Sequence, residues 1–219
     1  MSGRAPIRIE ALVDAAEHAG LVAGAEQLSE ALGAASGGPA WPVSLTLRGL
    51  DEAVAAEPAP DAIIASLLPE TGDLSEPIAA TEARWRRRVE RLQATGAPVF
   101  VCTVFRHVRQ GAAPGLRERI RRLDRMAVEL SHTLGVAVVD FDRAMAHIGA
   151  RALNSDYRLS GVLAAEVAGH TIAWSLLSYG LDQAVDPTVQ ERARAALGGL
   201  QQIDALVSRR LAARAATRG

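Results

Sequence analysis

The sequence contains no lysine: all 24 of its cationic side chains are arginine. Schiff-base chemistry and the phosphate-binding lysine of a P-loop are therefore excluded. It has one cysteine, Cys102, so neither an internal disulfide nor a cysteine-based zinc site can form. Flanked by Val99, Phe100, Val101 and Val104, that thiol reads as a small buried hydrophobe in a strand. Long apolar runs are missing too. Stretches such as Ala62-Ile63-Ile64 and Val99-Phe100-Val101-Cys102 fall far short of the roughly 20 residues that a membrane span needs. The 24 cations nearly cancel the 25 acidic residues, leaving a net charge of −1, so no overall field recruits nucleic acid or an anionic membrane. The opening Met1-Ser2-Gly3-Arg4-Ala5-Pro6 lacks the apolar stretch of a signal peptide, and a cytoplasmic location is the expectation. Arginine as the only long cation, with abundant alanine, points to a GC-rich bacterial genome.

What the chain does have is alternation. Its 219 residues suffice for one domain with a buried core. Strand-like runs at 7–13, 41–47, 61–67, 99–104 and 136–140 alternate with helical patterns at 23–32, 50–56, 78–95, 115–134, 142–152 and 162–179. Pro58 and Pro60 fix the start of the third strand. Pro114 suits the first turn of the following helix, and Gly135 its C-terminal cap. This order predicts an α/β fold: a three-layer α/β/α sandwich with a five-stranded parallel sheet, flavodoxin-like. An α/β domain is expected over 1–183 and a C-terminal helical extension over 184–219, broken at Gly198-Gly199. In that extension Leu197, Leu200, Ile203, Leu206, Val207 and Leu211 recur at helical spacing, with Arg209, Arg210 and Arg214 opposite. Such a stripe packs on the domain, on a protein partner, or on a second copy as a homodimer.

Sites in such sheets lie at the carboxyl ends of the strands, which selects residues 14–18, 48–49, 68–73, 105–109 and 154–159. Two candidate chemistries follow. Ser66 is a candidate nucleophile, with His107 as base and Asp73 or Glu70 nearby. Asp14, Arg48, Gly49, Glu70, Arg106, His107 and Arg109 form a candidate ligand-binding set, in which two guanidiniums of Arg106-His107-x-Arg109 hold a carboxylate or phosphate. The alternatives are a buried strand serine and arginines saturated by neighbouring acids. Asp14, Glu17 and His18 match no metal-ligand spacing and read as solvated helix-start groups. No metal or cofactor is expected. His132, His147 and His170 read as structural or exposed. The run Arg84-Trp85-Arg86-Arg87-Arg88 to Arg91, with Arg117, Arg119, Arg121 and Arg122, is interspersed with Glu82, Glu90, Glu118 and Asp124. It reads as a solvated helix face rather than a nucleic-acid site.

Four phrases in order give a family resemblance. Pro60-Asp61-Ala62-Ile63-Ile64, Gly96-Ala97-Pro98-Val99-Phe100-Val101, Val138-Val139-Asp140-Phe141 and Ala168-Gly169-His170-Thr171-Ile172-Ala173 resemble successive segments of the SGNH/GDSL hydrolase superfamily. The likeness spans about residues 7–181. It implies a serine after the first strand that attacks an acyl carbonyl, an Asp-x-x-His base near the last helix, and a glycine and an asparagine that stabilise the oxyanion. Most of these are missing. The serine position falls on Ala15, after Asp14, and the glycine on Gly49. The asparagine falls near Glu70 to Gly72, where there is none. The Asp-x-x-His falls on Asp156 with Leu159, or on Gly161 with Ala164. The resemblance thus implies the fold without the triad. The expected function is a non-catalytic binding or accessory protein of a bacterial biosynthetic pathway, taking an acylated or anionic small molecule. The alternatives are an ester hydrolase or acyltransferase with relocated groups, and an assembly subunit docking through the C-terminal helix.

Overall fold

The computed structural model describes residues 4–54 and 58–216, with the side chains of residues 200, 211 and 213–216 outside that description. Its strands are β1 (Ile7–Leu12), β2 (Val43–Arg48), β3 (Ala62–Ser66), β4 (Val99–Cys102) and β5 (Ala137–Val139). All pair in parallel, in the order β2-β1-β3-β4-β5. That is the flavodoxin-like order, and its switch point lies between β1 and β3. The helices are α1 (His18–Ala35), α2 (Ile78–Gln93), α3 (Leu116–Leu134), α4 (Phe141–Ile148), α5 (Ala150–Leu153), α6 (Val162–Tyr179), α7 (Pro187–Leu197) and α8 (Leu200–Ala216).

The alternation of side chains along each strand divides the core in two. Ile9, Ala11, Ile64, Phe100 and Cys102 join Leu28, Ile172 and Leu176 on the face covered by α1 and α6. Ile63, Ala65, Val99 and Val101 join Trp85, Val89, Ile120 and Leu123 beneath α2 and α3. Central β3 and β4 are buried throughout, whereas edge strand β2 alternates half-buried and exposed residues, as its one covered face requires. Ala193 of α7 and Ile203 and Val207 of α8 are buried in the same cluster as α1 and α6. The stripe residues Leu200 and Leu211 and the opposing Arg214 lie outside the described side chains. No helix among the described residues is long and apolar enough to cross a membrane.

Several boundaries differ from the sequence expectation. Helix α1 starts at His18 rather than at 23, because a capped turn at 15–17 leads straight into it. No helix forms over residues 50–54, where the Glu52 carboxylate instead accepts from the Gly49 N–H; the rest of that expected helix, at 55–56, lies outside the described residues. Pro114 precedes the first turn of α3 rather than occupying it, since left-handed Gly115 (φ 87°) is the N-cap. The helix expected over 142–152 is split by Gly149.

Helices α1 and α6 approach closely at glycines. A Cβ added to Gly169 would lie 2.7 Å from the Gly24 backbone nitrogen and 2.8 Å from the Ala23 carbonyl carbon. In an open helix the change from Gly to Ala stabilises by about 1 kcal/mol. Here the collision is with backbone, so Gly169→Ala is expected to destabilise by about 1–3 kcal/mol. Denaturant unfolding measures this, and a variant more stable than wild type would show that the helices do not need this approach.

Candidate functional site

The loops after β1, β3 and β4 and the loop before α6 converge beyond the carboxyl ends of the strands. After β1 the chain makes a 3₁₀ turn, Ala15–Glu17, closed by a reciprocal capping box. The Asp14 carboxylate accepts from the Ala16 N–H at 2.8 Å, and the Asp14 N–H donates to Glu17 Oε2 at 3.1 Å. Ala15 and Ala16 are left exposed. Glu17 is not the solvated helix-start group expected from its position. The box folds its side chain back under the turn, leaving it 4 % exposed, where it accepts a 2.5 Å hydrogen bond from Ser66 Oγ. Burial raises its pKa to about 7, against the opposing hydrogen bonds from Ser66 and Asp14. His18 is half-buried.

The structure does not join Ser66, His107 and Asp73 by hydrogen bonds. Ser66 has no exposed surface; its hydroxyl donates to Glu17 and accepts from the Leu68 N–H at 3.0 Å. His107 is exposed, its ring centroid 5.8 Å from that of Phe105. Asp73 is exposed and accepts from Ser75 Oγ and from the backbone N–H groups of Ser75 and Glu76, bonds that hold its carboxyl below the usual range. Glu70 is buried and turns toward α2, accepting from Trp85 Nε1 at 2.7 Å and from Arg84 Nη2 at 2.5 Å.

The candidate arginines each have a carboxylate. Arg48 pairs with Glu10 at 2.6 Å, and Gly49 beside it donates its N–H to Glu52. Arg106 Nε donates to Asp142 at 2.7 Å. Arg109 lies 3.4 Å from Asp156, which Arg158 also meets at 2.9 Å. Asp156 is buried while both guanidiniums are more than half exposed, and the arginines hold its carboxyl below the ordinary range despite that burial. Arg109, Asp156, Tyr157 and Arg158 border a crevice of about 460 Å³ together with Thr71 and Leu74. Arg158 lies in the strand-end segment 154–159 but outside the candidate ligand-binding set; nothing in the local pattern pairs it with Asp156 and Arg109. Among the described residues no three His, Cys, Asp or Glu side chains group as a metal site.

Leu159, not Ala164, faces the turn after β1. It is buried at φ 55° and lines a cavity of about 10 Å³ with Ala16, Glu17, Leu21 and Phe141. That space admits one water at most. The turn after β1 and the loop before α6 meet across this space, presenting methyl and isobutyl groups to each other.

The fold is SGNH/GDSL-like, as its likeness to solved structures shows. Similar solved structures include one described as a GDSL-like lipase from Parabacteroides merdae ATCC 43184, at TM-score 0.60 and 14 % identity, covering 80 % of this chain and 97 % of that one. The acetyl xylan esterase AlAXEase matches at TM-score 0.54 and 13 % identity, over 78 % of this chain and 98 % of its own. LAE5, an α/β hydrolase enzyme from the metagenome of Lake Arreo, Spain, matches at 0.53 and 15 %, over 78 % and 95 %. At these identities the likeness is one of fold. No family model matches the sequence, and no curated protein matches it.

Proposed function

We infer that this chain is a non-catalytic protein of SGNH-like fold that binds an anionic or acylated small molecule. The observation that carries the reading is the opposition of the Ala15–Glu17 turn and Leu159 across a cavity with room for one water. Ester hydrolysis by this fold needs a nucleophile and a base in hydrogen-bond contact, with an oxyanion donor beside them. Ala15 cannot attack, Leu159 cannot take a proton, and Ser66 is sealed beneath Glu17. The Arg109–Asp156–Arg158 crevice is open by contrast. Two cations share one anion there, so its rim keeps a positive charge for a carboxylate or phosphate. Leu74 and Leu116 supply apolar wall for an acyl chain. An accessory role in a bacterial biosynthetic pathway, in the cytoplasm, is the setting such a binder fits.

The test has two arms. p-Nitrophenyl and naphthyl esters of short acids are offered to wild type, Ser66→Ala and His107→Ala, and all three are expected to stay at the buffer rate. Butyrate and inorganic phosphate are titrated by NMR into wild type and Arg109→Ala, with binding expected to weaken about 10-fold on loss of the guanidinium. Hydrolysis by wild type that disappears in either variant would overturn the non-catalytic reading. Titrations insensitive to Arg109 would remove the crevice as the binding site.

A further inference from the structure

We propose that the groove between α4, α6 and the α7–α8 turn binds a neutral sugar ring. This groove encloses about 690 Å³, within the roughly 300–1,000 Å³ of small-molecule sites. Its residues come from elements other than those around the Arg109 crevice, so the proposal stands apart from the reading above.

Aromatic residues make up only 4 % of this chain, and Trp85, Phe100, Phe105 and Phe141 are buried. Trp174 and Tyr179 instead line the groove. Their rings meet edge to face, with centroids 6.3 Å apart and planes at 84°. Tyr179 is 59 % exposed, among the few large side chains left open to water. The edge-to-face contact covers one face of one ring, and the exposed Tyr179 ring leaves aromatic surface in the groove on which the C–H face of a ring can pack.

The remaining lining specifies what else the ring carries. Asp140 and Arg143, at the start of α4, face Gln201 and Gln202 of α8 across the groove. The Asp140 carboxylate accepts from the Arg143 N–H and from Thr103 Oγ1. The Arg143 guanidinium and both glutamine amides make no hydrogen bond to another described side chain or carbonyl, so donors and acceptors stand ready for a ligand. Asp140 and Arg143 cancel in charge. A phosphate would meet the Asp140 carboxylate and a single guanidinium; a purely apolar ligand would strand two amides, a carboxylate and a guanidinium away from water. A pyranose satisfies both requirements, with one apolar face and several neutral hydroxyls of either hydrogen-bonding sense. The end of the groove is fixed in place, because His170 Nε2 lies 3.0 Å from the Gly198 carbonyl oxygen and ties the α7–α8 turn to α6.

The experiment is saturation-transfer NMR on the full chain with a panel of methyl pyranosides and their disaccharides, adenosine and inorganic phosphate serving as comparison probes. At least one sugar is expected to bind, with saturation strongest on its ring C–H protons. Trp174→Ala should weaken that binding about 10-fold or more, Trp174→Phe should retain part of it, and Arg109→Ala should leave it unchanged. Tyr179→Ala, at an exposed position, should also weaken it while leaving the fold intact. No sugar binding below 10 mM, binding indifferent to both aromatic variants, loss of binding in Arg109→Ala, or adenosine or phosphate bound in preference to every sugar would each overturn the proposal.

Discussion

Glu70→Ala is expected to destabilise the protein by about 3–5 kcal/mol, the range found when one partner of a buried ion pair is removed. Glu70 is 8 % exposed and joins three side chains of α2. It accepts from Trp85 Nε1 and Arg84 Nη2, and its Oε1 lies 3.6 Å from Arg88 Nη1. Trp85 is fully buried and the Arg88 side chain only 7 % exposed. Without Glu70 the indole N–H has no acceptor. Arg88 would then keep only Asp51, whose side chain is 94 % exposed and screened by water. Burial already lowers the Arg88 pKa, so this cation has little solvation to fall back on. Arg119 strengthens the same region by donating to the Glu70 and Glu76 carbonyl oxygens and to Thr81 Oγ1, which ties the loop after β3 to α3. The basic run therefore departs from the solvated face expected of it. Arg86, Arg87 and Arg91 are exposed, while Arg88 and Arg119 turn inward and Arg84 is half-buried against Glu70 and Glu76.

Urea unfolding of Glu70→Ala, Arg88→Met and the double variant tests the argument. The double variant should lose much less than the sum of the singles, because it removes the stranded cation along with its partner. Additive losses, or a loss from Glu70→Ala below about 1 kcal/mol, would show that these charges are effectively solvated.

The second large effect is a loss of stability between mildly acidic and neutral pH. Glu17 has an ordinary pKa of 4.5 in the unfolded chain and about 7 in the folded one. Below the first value both states hold the proton. Between the two values the folded protein keeps it and the unfolded chain releases it, so stability falls as pH rises, by up to about 1.4 kcal/mol per pH unit. Beyond the folded value nothing further is lost, and the total for this group is about 3 kcal/mol. Asp124 acts in the same direction, raised from 3.8 to about 7. One of its oxygens accepts from the Val104 N–H at 2.8 Å, and the other is buried without a partner. Opposing shifts appear on the acid side. Glu76 is held at about 2 by its hydrogen bonds to Arg84 and Thr81; Asp73, Asp156 and Asp186 also lie below the ordinary range. Their stabilisation disappears as pH falls through those lowered values. Maximum stability is therefore expected near pH 4–5, between the two sets of shifts. Unfolding free energies at a series of pH values should decline toward pH 7.5, with Glu17→Gln removing roughly half of the decline and Asp124→Asn much of the rest. A profile that is flat from pH 5 to 7.5 would place both carboxyls in contact with water.

The sequence by itself determined the layered architecture. Apolar runs punctuated by Pro58, Pro60, Pro98 and Gly135 are local signals. They report which short segments are buried on both faces and where helices stop; the order in which the strands pair, β2-β1-β3-β4-β5, came from the tertiary structure. The family resemblance put alanine at position 15 and left the base position open between Leu159 and Ala164. Only the tertiary structure decided which charged groups face solvent. Glu17 and Ser66 are 49 residues apart in sequence and Arg106 and Asp142 are 36 apart, so no local pattern pairs them. The Trp174–Tyr179 groove was equally invisible, because its opposite wall comes from α4 and from α8 beyond the Gly198-Gly199 break. Periodicity shows that a helix has an apolar face. It does not show which parts of the chain come to lie against the opposite one, because that depends on how the whole chain closes.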